Sequence, residues 1–202
     1  MTKSLMLSIQ PKHVVNILNG YKILELRKNV PKDFKGWVYI YCTKGKPYLM
    51  SIFNEWQLTK YKTDMSKSKN VFNGNGKVVA RFWFDEYIAY KCYEYEDDNS
   101  YFAKRPQDFG YTADEVLKRL CLSRDEFKKY GKGKDLYAWH IKKLEIFDTP
   151  LSLSDFYKAN LYASGQVIKE YEKRTNDFSY RLQRPPQSWQ YVYTKELENE
   201  SK

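Results

Sequence analysis

Between Gly20 and Arg27 the chain reads Gly20-Tyr21-Lys22-Ile23-Leu24-Glu25-Leu26-Arg27, which brings an ammonium, a carboxylate and a guanidinium into one short stretch. On an extended backbone, alternation puts Glu25 and Arg27 on one face, close enough to share a bound water or a ligand edge. Lys22 belongs to the other face unless a turn at Gly20 rotates it. Three kinds of chemistry fit such a trio. In a nucleotide-binding cleft, Lys22 and Arg27 donate to base carbonyls or phosphate while Glu25 accepts from an amino group. In a catalytic centre, Lys22 with a lowered pKa or Glu25 with a raised one takes a proton from water while the cation steadies an oxyanion. In a structural role, Glu25 pairs with Arg27 or Lys22 and pins a helix–strand junction. Farther along, Trp139 and Trp189 are candidate stacking platforms for an unpaired base, although both fit core tryptophan better. His13, His140 and Ser188 read as ordinary hydrogen-bonding residues.

The elements that must position this trio are legible around it. Ser4–Ile9 alternates as a strand, Pro11 suits the first turn of a helix carrying Val14, Val15, Ile17 and Leu18, and Gly20 ends that helix in a left-handed turn. The chain then leaves directly into an extended Lys22–Arg27. Pro31 and Gly36 punctuate a loop before Trp37–Cys42, a run of aromatic and β-branched residues predicted to be a strand buried on both faces. Lys44–Gly76 is polar and Lys-rich and reads as an insertion or long loop, ending in the turn Asn73-Gly74-Asn75-Gly76. Val78–Tyr87 is the next strand, prolonged toward Tyr95, and Glu94–Asn99 reads as a solvated acidic turn. Thr112-Ala113-Asp114-Glu115 and Ser123-Arg124-Asp125-Glu126 are capping boxes, so two short helices are expected, ending near Leu120 and Tyr130. Lys128, Lys129, Lys132 and Lys134 make the exit of the second helix basic. Leu136–Phe147 shifts phase at Lys142-Lys143, predicting a bent strand with a bulge that Thr149-Pro150 closes. Glu170–Tyr180 reads as exposed, and Ser188–Thr194 as a last strand after Arg184-Pro185-Pro186.

Composition narrows the partners. Lys and Arg number 35 against 25 Asp and Glu, a formal charge of +10, and aromatic residues make up 17% of the chain. Such a surface attracts polyanions, and exposed rings offer faces on which bases stack. No apolar run approaches a membrane span and the first residues lack a long apolar signal core, so no membrane partner is expected. The 3 cysteines, Cys42, Cys92 and Cys121, are scattered, which suggests reduced thiols in a cytoplasmic setting and neither a disulfide framework nor a metal site. No cofactor is expected, and the sequence is silent on oligomeric state.

Gly20, Lys22, Glu25 and Arg27 match G-x-K-x-x-E-x-R, and in this the chain resembles the ASCH family. Leu7-Ser8-Ile9-Gln10-Pro11, the helix, the motif, Val38–Tyr41 and Val78–Phe84 follow the family order. Tyr137–Pro150 and Arg184–Trp189 are similar to segments of phage and prophage members. The resemblance implies an α+β fold, a PUA-like mixed β-barrel with short flanking helices, forming one domain over 1–202 with insertions at about 44–76 and a helical one at 96–134. It implies a cleft that engages RNA or a modified nucleotide. Some small members are similar to amidohydrolases acting on acylated cytidine, which makes a hydrolase of modified nucleoside or RNA, amidohydrolase or ribonuclease, the alternative. Glu25 stands where those enzymes carry a threonine, and Arg81 near the place of their acidic residue, with Asp85 or Glu86 as substitutes. A second alternative is a phage accessory protein that binds a host protein through Lys44–Gly76 and Thr112–Gly131.

Overall fold

A computed structural model of the chain describes residues 2–52, 55–62, 71–95, 98–104, 111–159 and 164–194. In chain order the elements are β1 (Thr2–Ile9), α1 (Pro11–Leu18), β2 (Leu24–Arg27), β3 (Gly36–Cys42), β4 (Tyr48–Ile52), β5 (Glu55–Thr59), β6 (Phe72–Asn73), β7 (Val78–Phe84), β8 (Tyr87–Tyr95), β9 (Asp98–Lys104), α2 (Ala113–Leu120), α3 (Arg124–Gly131), β10 (Leu136–His140), β11 (Lys142–Leu151), β12 (Tyr157–Lys158), α4 (Gly165–Thr175) and β13 (Trp189–Thr194). The class is α+β. The strands form three open sheets, and no described sheet closes into the barrel expected from the sequence.

The chain divides into two compact units, one made of Met1–Val14, Trp37–Arg81 and Glu145–Lys202, the other of Val15–Gly36 and Phe82–Leu144. The first unit is built on the sheet β11-β7-β3-β1-β13-β12. β3 is interior to this sheet, which is why Val38, Tyr39, Ile40, Tyr41 and Cys42 are all buried. It runs parallel to β1 with Leu5 opposite Val38 and Leu7 opposite Ile40. A parallel pair needs a crossover, and α1 and β2 lie in that connection. Met6, Tyr39, Tyr41, Val78, Phe156, Leu182 and Val192 form its core.

Residues 44–76 differ from the expected loop. β4 is the centre of a three-stranded antiparallel sheet with β5 and β6 on either side. Asn75 holds it, accepting from the Leu49 N–H at 2.7 Å. Gly74 is needed for close approach, because a Cβ there would lie 2.9 Å from Leu49 Cδ2 and 3.1 Å from Val79 Cγ1. Leu49, Met50 and Trp56 of this sheet are buried.

The second unit carries the sheet β2-β10-β8-β9, antiparallel throughout. One face presents Leu24, Leu26, Ala138, Leu136, Ile88 and Tyr90, which pack against Val116, Leu120 and Phe127 of α2 and α3. Both helices begin as their sequences require. Thr112 and Ser123 accept from the Glu115 and Glu126 N–H groups, and each glutamate reaches back to the backbone of its cap. The predicted Val78–Tyr87 strand is two strands, interrupted at Asp85-Glu86, and Leu136–Phe147 is likewise β10 and β11 in different sheets. β11 continues through Thr149-Pro150 to Leu151, past the expected stop. Of the expected acidic turn, Glu94, Tyr95, Asp98 and Asn99 belong to a β8–β9 hairpin in which Tyr95 opposes Asp98, and Glu96 and Asp97 lie outside the described residues. Residues 170–175, expected to be exposed chain, belong to α4, which starts at the Ser164 cap and buries Ile168 and Glu172.

Candidate functional site

The turn after α1 decides where Lys22 goes. Gly20 has φ +74, and the N–H groups of Tyr21 and Lys22 both reach the Asn16 carbonyl, at 2.9 and 3.0 Å. This tight reversal closes the helix and rotates Lys22 out of strand alternation. Lys22 therefore meets Glu25 on the far side of the turn, Nζ to Oε2 3.3 Å, while Arg27 Nη2 lies 2.9 Å from Glu25 Oε1. All three residues named from the sequence come together around one carboxylate.

They do not form an open cleft. Lys22, Glu25 and Arg27 are 2%, 6% and 8% exposed, and the Lys22 ammonium also donates to the Leu120 carbonyl at 2.7 Å. That carbonyl is at the C-terminal end of α2, where the helix lacks donors of its own and its dipole favours a cation. Beside it, the Ile23 N–H donates to the Arg119 carbonyl at 3.1 Å, so the last turn of α2 also closes the chain entering β2. Tyr130, in the last turn of α3, lies within the field of Arg27 and Glu25. Desolvation raises its phenol above the usual 10.0, with Arg27 opposing and Glu25 adding to the rise. Burial likewise raises the Cys121 thiol, against the nearby Lys22 charge.

Register extends the site across the sheet. Trp139 stands opposite Glu25 on one side and Tyr87 on the other, and Tyr137 opposite Arg27. Glu25, Trp139 and Tyr87 thus form a row on one face, with Tyr87 two strand spacings, roughly 10 Å, from Glu25. Trp139 is 0% exposed and its ring lies 4.8 Å from that of Phe84, so the stacking platform expected there is a core residue. Trp189 belongs to the other unit, half-buried and edge-on to Tyr191 at 5.9 Å. Of the lysines that a nucleotide-binding reading of the sequence places on a basic rim around the cleft, Lys28 and Lys32 fall in the second unit and Lys44 and Lys46 in the first. Lys28 is carried over the Tyr130 ring at 5.5 Å.

Two of the sequence candidates for an acidic partner are engaged elsewhere. Lys142 Nζ lies 3.1 Å from Asp85 Oδ1 and 2.5 Å from Glu86 Oε1, and His140 Nδ1 is 2.9 Å from Glu86. The hydrogen bond from Lys142 holds the Glu86 carboxyl below the usual 4.5, helped by His140 and opposed by partial burial. Arg81, in the first unit, pairs with Glu145 at 2.6 Å and lies over the Trp37 ring at 4.1 Å. Among the described residues no group of three His, Cys, Asp or Glu side chains is placed to hold a metal ion, and no helix is long and apolar enough to cross a membrane.

Of the loop that follows the motif, only Lys32 is singled out from the sequence. Val30–Lys35 and the β7–β8 corner enclose a groove of about 620 Å³, lined by Lys32, Phe34, Lys35, Phe84, Asp85 and Tyr87 among others. The available signal was an aromatic residue between lysines in a Pro-containing loop directly after the motif.

No family model matches the chain, and no curated protein matches it. Among solved structures it is similar to ASCH from Zymomonas mobilis, at 12% identity over 94% of this chain and 87% of that one, with a TM-score of 0.48. Two single-substitution mutants of the Zymomonas mobilis protein are similar at 13% and 12% identity, covering 95% and 94% of this chain and 91% and 88% of theirs, each with a TM-score of 0.45.

Proposed function

We propose that the protein binds RNA, or a nucleotide within it, on the outer surface of the second unit, and that the Lys22–Glu25–Arg27 triad is the scaffold beneath that surface. The observation that carries this reading is where the charge lies. The triad is buried and Glu25 cancels one of its two positive charges, whereas Lys128, Lys129, Lys132 and Lys134 are all exposed, with no acidic residue between them. Together with Lys28 over Tyr130, they make the exit of α3 a compact cationic surface. On a chain of net charge +10, such a surface attracts a phosphate backbone by counterion release. Catalysis at the triad would require Lys22 to give up both Glu25 and the Leu120 carbonyl before it could meet a substrate. Binding is therefore favoured over hydrolysis.

The test is a labelled single-stranded RNA pool titrated across salt concentrations. Affinity should fall linearly on logarithmic axes, and changing the four lysines of the α3 exit to Gln should flatten the slope by up to about 2.8, at roughly 0.7 per phosphate contact on a single strand. An absence of binding at low ionic strength, or binding indifferent to salt, would overturn the proposal.

A further inference from the structure

From the groove beside the motif we infer that Phe34 and Tyr87, each stacked against the buried Phe84, form a stacking site for one unpaired base, with Lys32 and Lys35 on its flanking phosphates; this rests on the RNA reading above and locates the base within it. The three rings run nearly parallel. Phe34 and Phe84 have centroids 6.3 Å apart with an angle of 16°, and Phe84 and Tyr87 are 6.5 Å apart at 6°. Parallel rings at these separations are stacked with an offset, so Phe34 and Tyr87 each rest on Phe84. Phe84 is buried and anchors the row against Trp139, while Tyr87 is 41% exposed. Tyr137 meets the Tyr87 ring edge-on at 5.6 Å and 71°, which fixes its orientation without covering it as a parallel ring would.

The loop supplies the charge. Asp33 has φ +54, a conformation Asp adopts more readily than most residues, and it turns the chain between the exposed Lys32 and the half-buried Phe34, with the exposed Lys35 next. Two cations therefore border an aromatic floor, the arrangement by which proteins hold single strands: rings for bases, lysines for phosphates. Two carboxylates also line the groove: Asp85 is paired with Lys142, and the exposed Asp33 offsets one of the two loop lysines, so Lys32 and Lys35 leave the loop one net positive charge. The volume of about 620 Å³ lies within the range of small-molecule sites and accommodates a nucleotide. A duplex keeps its bases stacked and cannot present one to this floor, so the occupant is single-stranded.

The experiment measures binding of fluorescein-labelled single-stranded adenosine oligonucleotides of about twelve residues, a matched oligonucleotide with abasic positions, and an RNA duplex of equal length. Tyr87→Ala should weaken the single strand by roughly 5- to 150-fold, leave the salt slope unchanged, and lose the advantage of the intact strand over the abasic one. Tyr87→Phe should retain that advantage. Changing Lys32 and Lys35 together to Ala should lower the salt slope by about 1.4. If the parent binds single strands with salt dependence but Tyr87→Ala matches it, the stacking site is refuted while RNA binding stands. If the parent prefers the duplex, the stacking site is also refuted. If the parent binds none of the three, the RNA reading falls and the inference with it.

Discussion

Replacing Glu25 by Gln tests whether the triad is scaffold or contact. At 3.3 and 2.9 Å from its two cations, the carboxylate has a gross attraction of about 5 kcal/mol to each at an effective dielectric of about 20. Desolvation offsets much of this, and breaking such a buried arrangement by removing one partner costs about 3–5 kcal/mol. For a chain of this length that is roughly a 6–20 °C fall in melting temperature. Lys22→Met removes the opposite charge and should cost less. It leaves Glu25 and Arg27 as a balanced pair and forfeits mainly the hydrogen bond to Leu120, about 1–3 kcal/mol for the buried carbonyl left behind. Circular dichroism melts of the two variants should therefore rank Glu25→Gln as the more damaged, and each should bind RNA like the parent at temperatures where it is folded. The reasoning is refuted if the order is reversed, or if Lys22→Met keeps full stability while RNA binding disappears, since the ammonium would then be a contact.

Gly20→Val should destabilise the fold by about 1–2 kcal/mol or more, and Gly20→Asn by less, because a Cβ at this position meets nothing within 4 Å and only the left-handed backbone is penalised; equal melting of both variants and parent would show otherwise. Thr112→Ala and Ser123→Ala should each cost about 0.5–2 kcal/mol in urea titrations, since both caps are exposed and have no larger packing role. Glu86 titrates below its ordinary 4.5 in the folded state, so its ion pair contributes stability above that pH and loses it as the pH falls through the depressed folded value. Glu86→Gln should accordingly flatten the acid limb of a stability profile below about pH 4.5 while leaving the neutral plateau nearly level.

What was legible in the sequence was what local physics decides. Pro11 at the first turn, Gly20 past the last, and the two capping boxes each mark an element by the backbone groups they satisfy, and α1, α2 and α3 begin or end there. Trp37–Cys42 announced a buried strand by residue type, and Ser188–Thr194 the last one. The rest depended on distant partners. Lys22 finds an acceptor at Leu120, 98 residues along the chain, and no alternation rule contains that distance. The phase shift at Lys142-Lys143 was visible, but that β10 and β11 enter different sheets was not, because period-two patterning names a face and never a sheet. β4 and β5 were hidden by exposed lysines around a small buried set, and α4 by a stripe reduced to Ile168 and Glu172. Trp139 read as core or as a platform, and its complete burial beside the Phe84 ring decides for core.

The motif's composition follows from the junction it occupies. β2 is an edge strand of four residues, and an edge leaves backbone groups to be covered. The C-terminal turn of α2 has the complementary deficit, carbonyls without donors. Docking one on the other answers both: the Ile23 N–H takes the Arg119 carbonyl and the Lys22 ammonium takes that of Leu120. A lysine is suited to this place because the helix dipole attracts it, but its burial then calls for a counterion, which Glu25 supplies. Glu25 has a second oxygen, and Arg27, its neighbour on the same strand face, takes it. Each charge is thus required by the one before it, starting from an unmet carbonyl. Glu25 also stands in register with Trp139 and Trp139 with Tyr87, so the sheet that is locked at its β2 edge is the same one that presents the Tyr87 ring. A binding surface on a rigid sheet holds its aromatic faces in place before a base arrives, which lowers the ordering cost of binding. On the proposed reading, Lys22, Glu25 and Arg27 serve nucleic-acid recognition without any of the three touching the ligand.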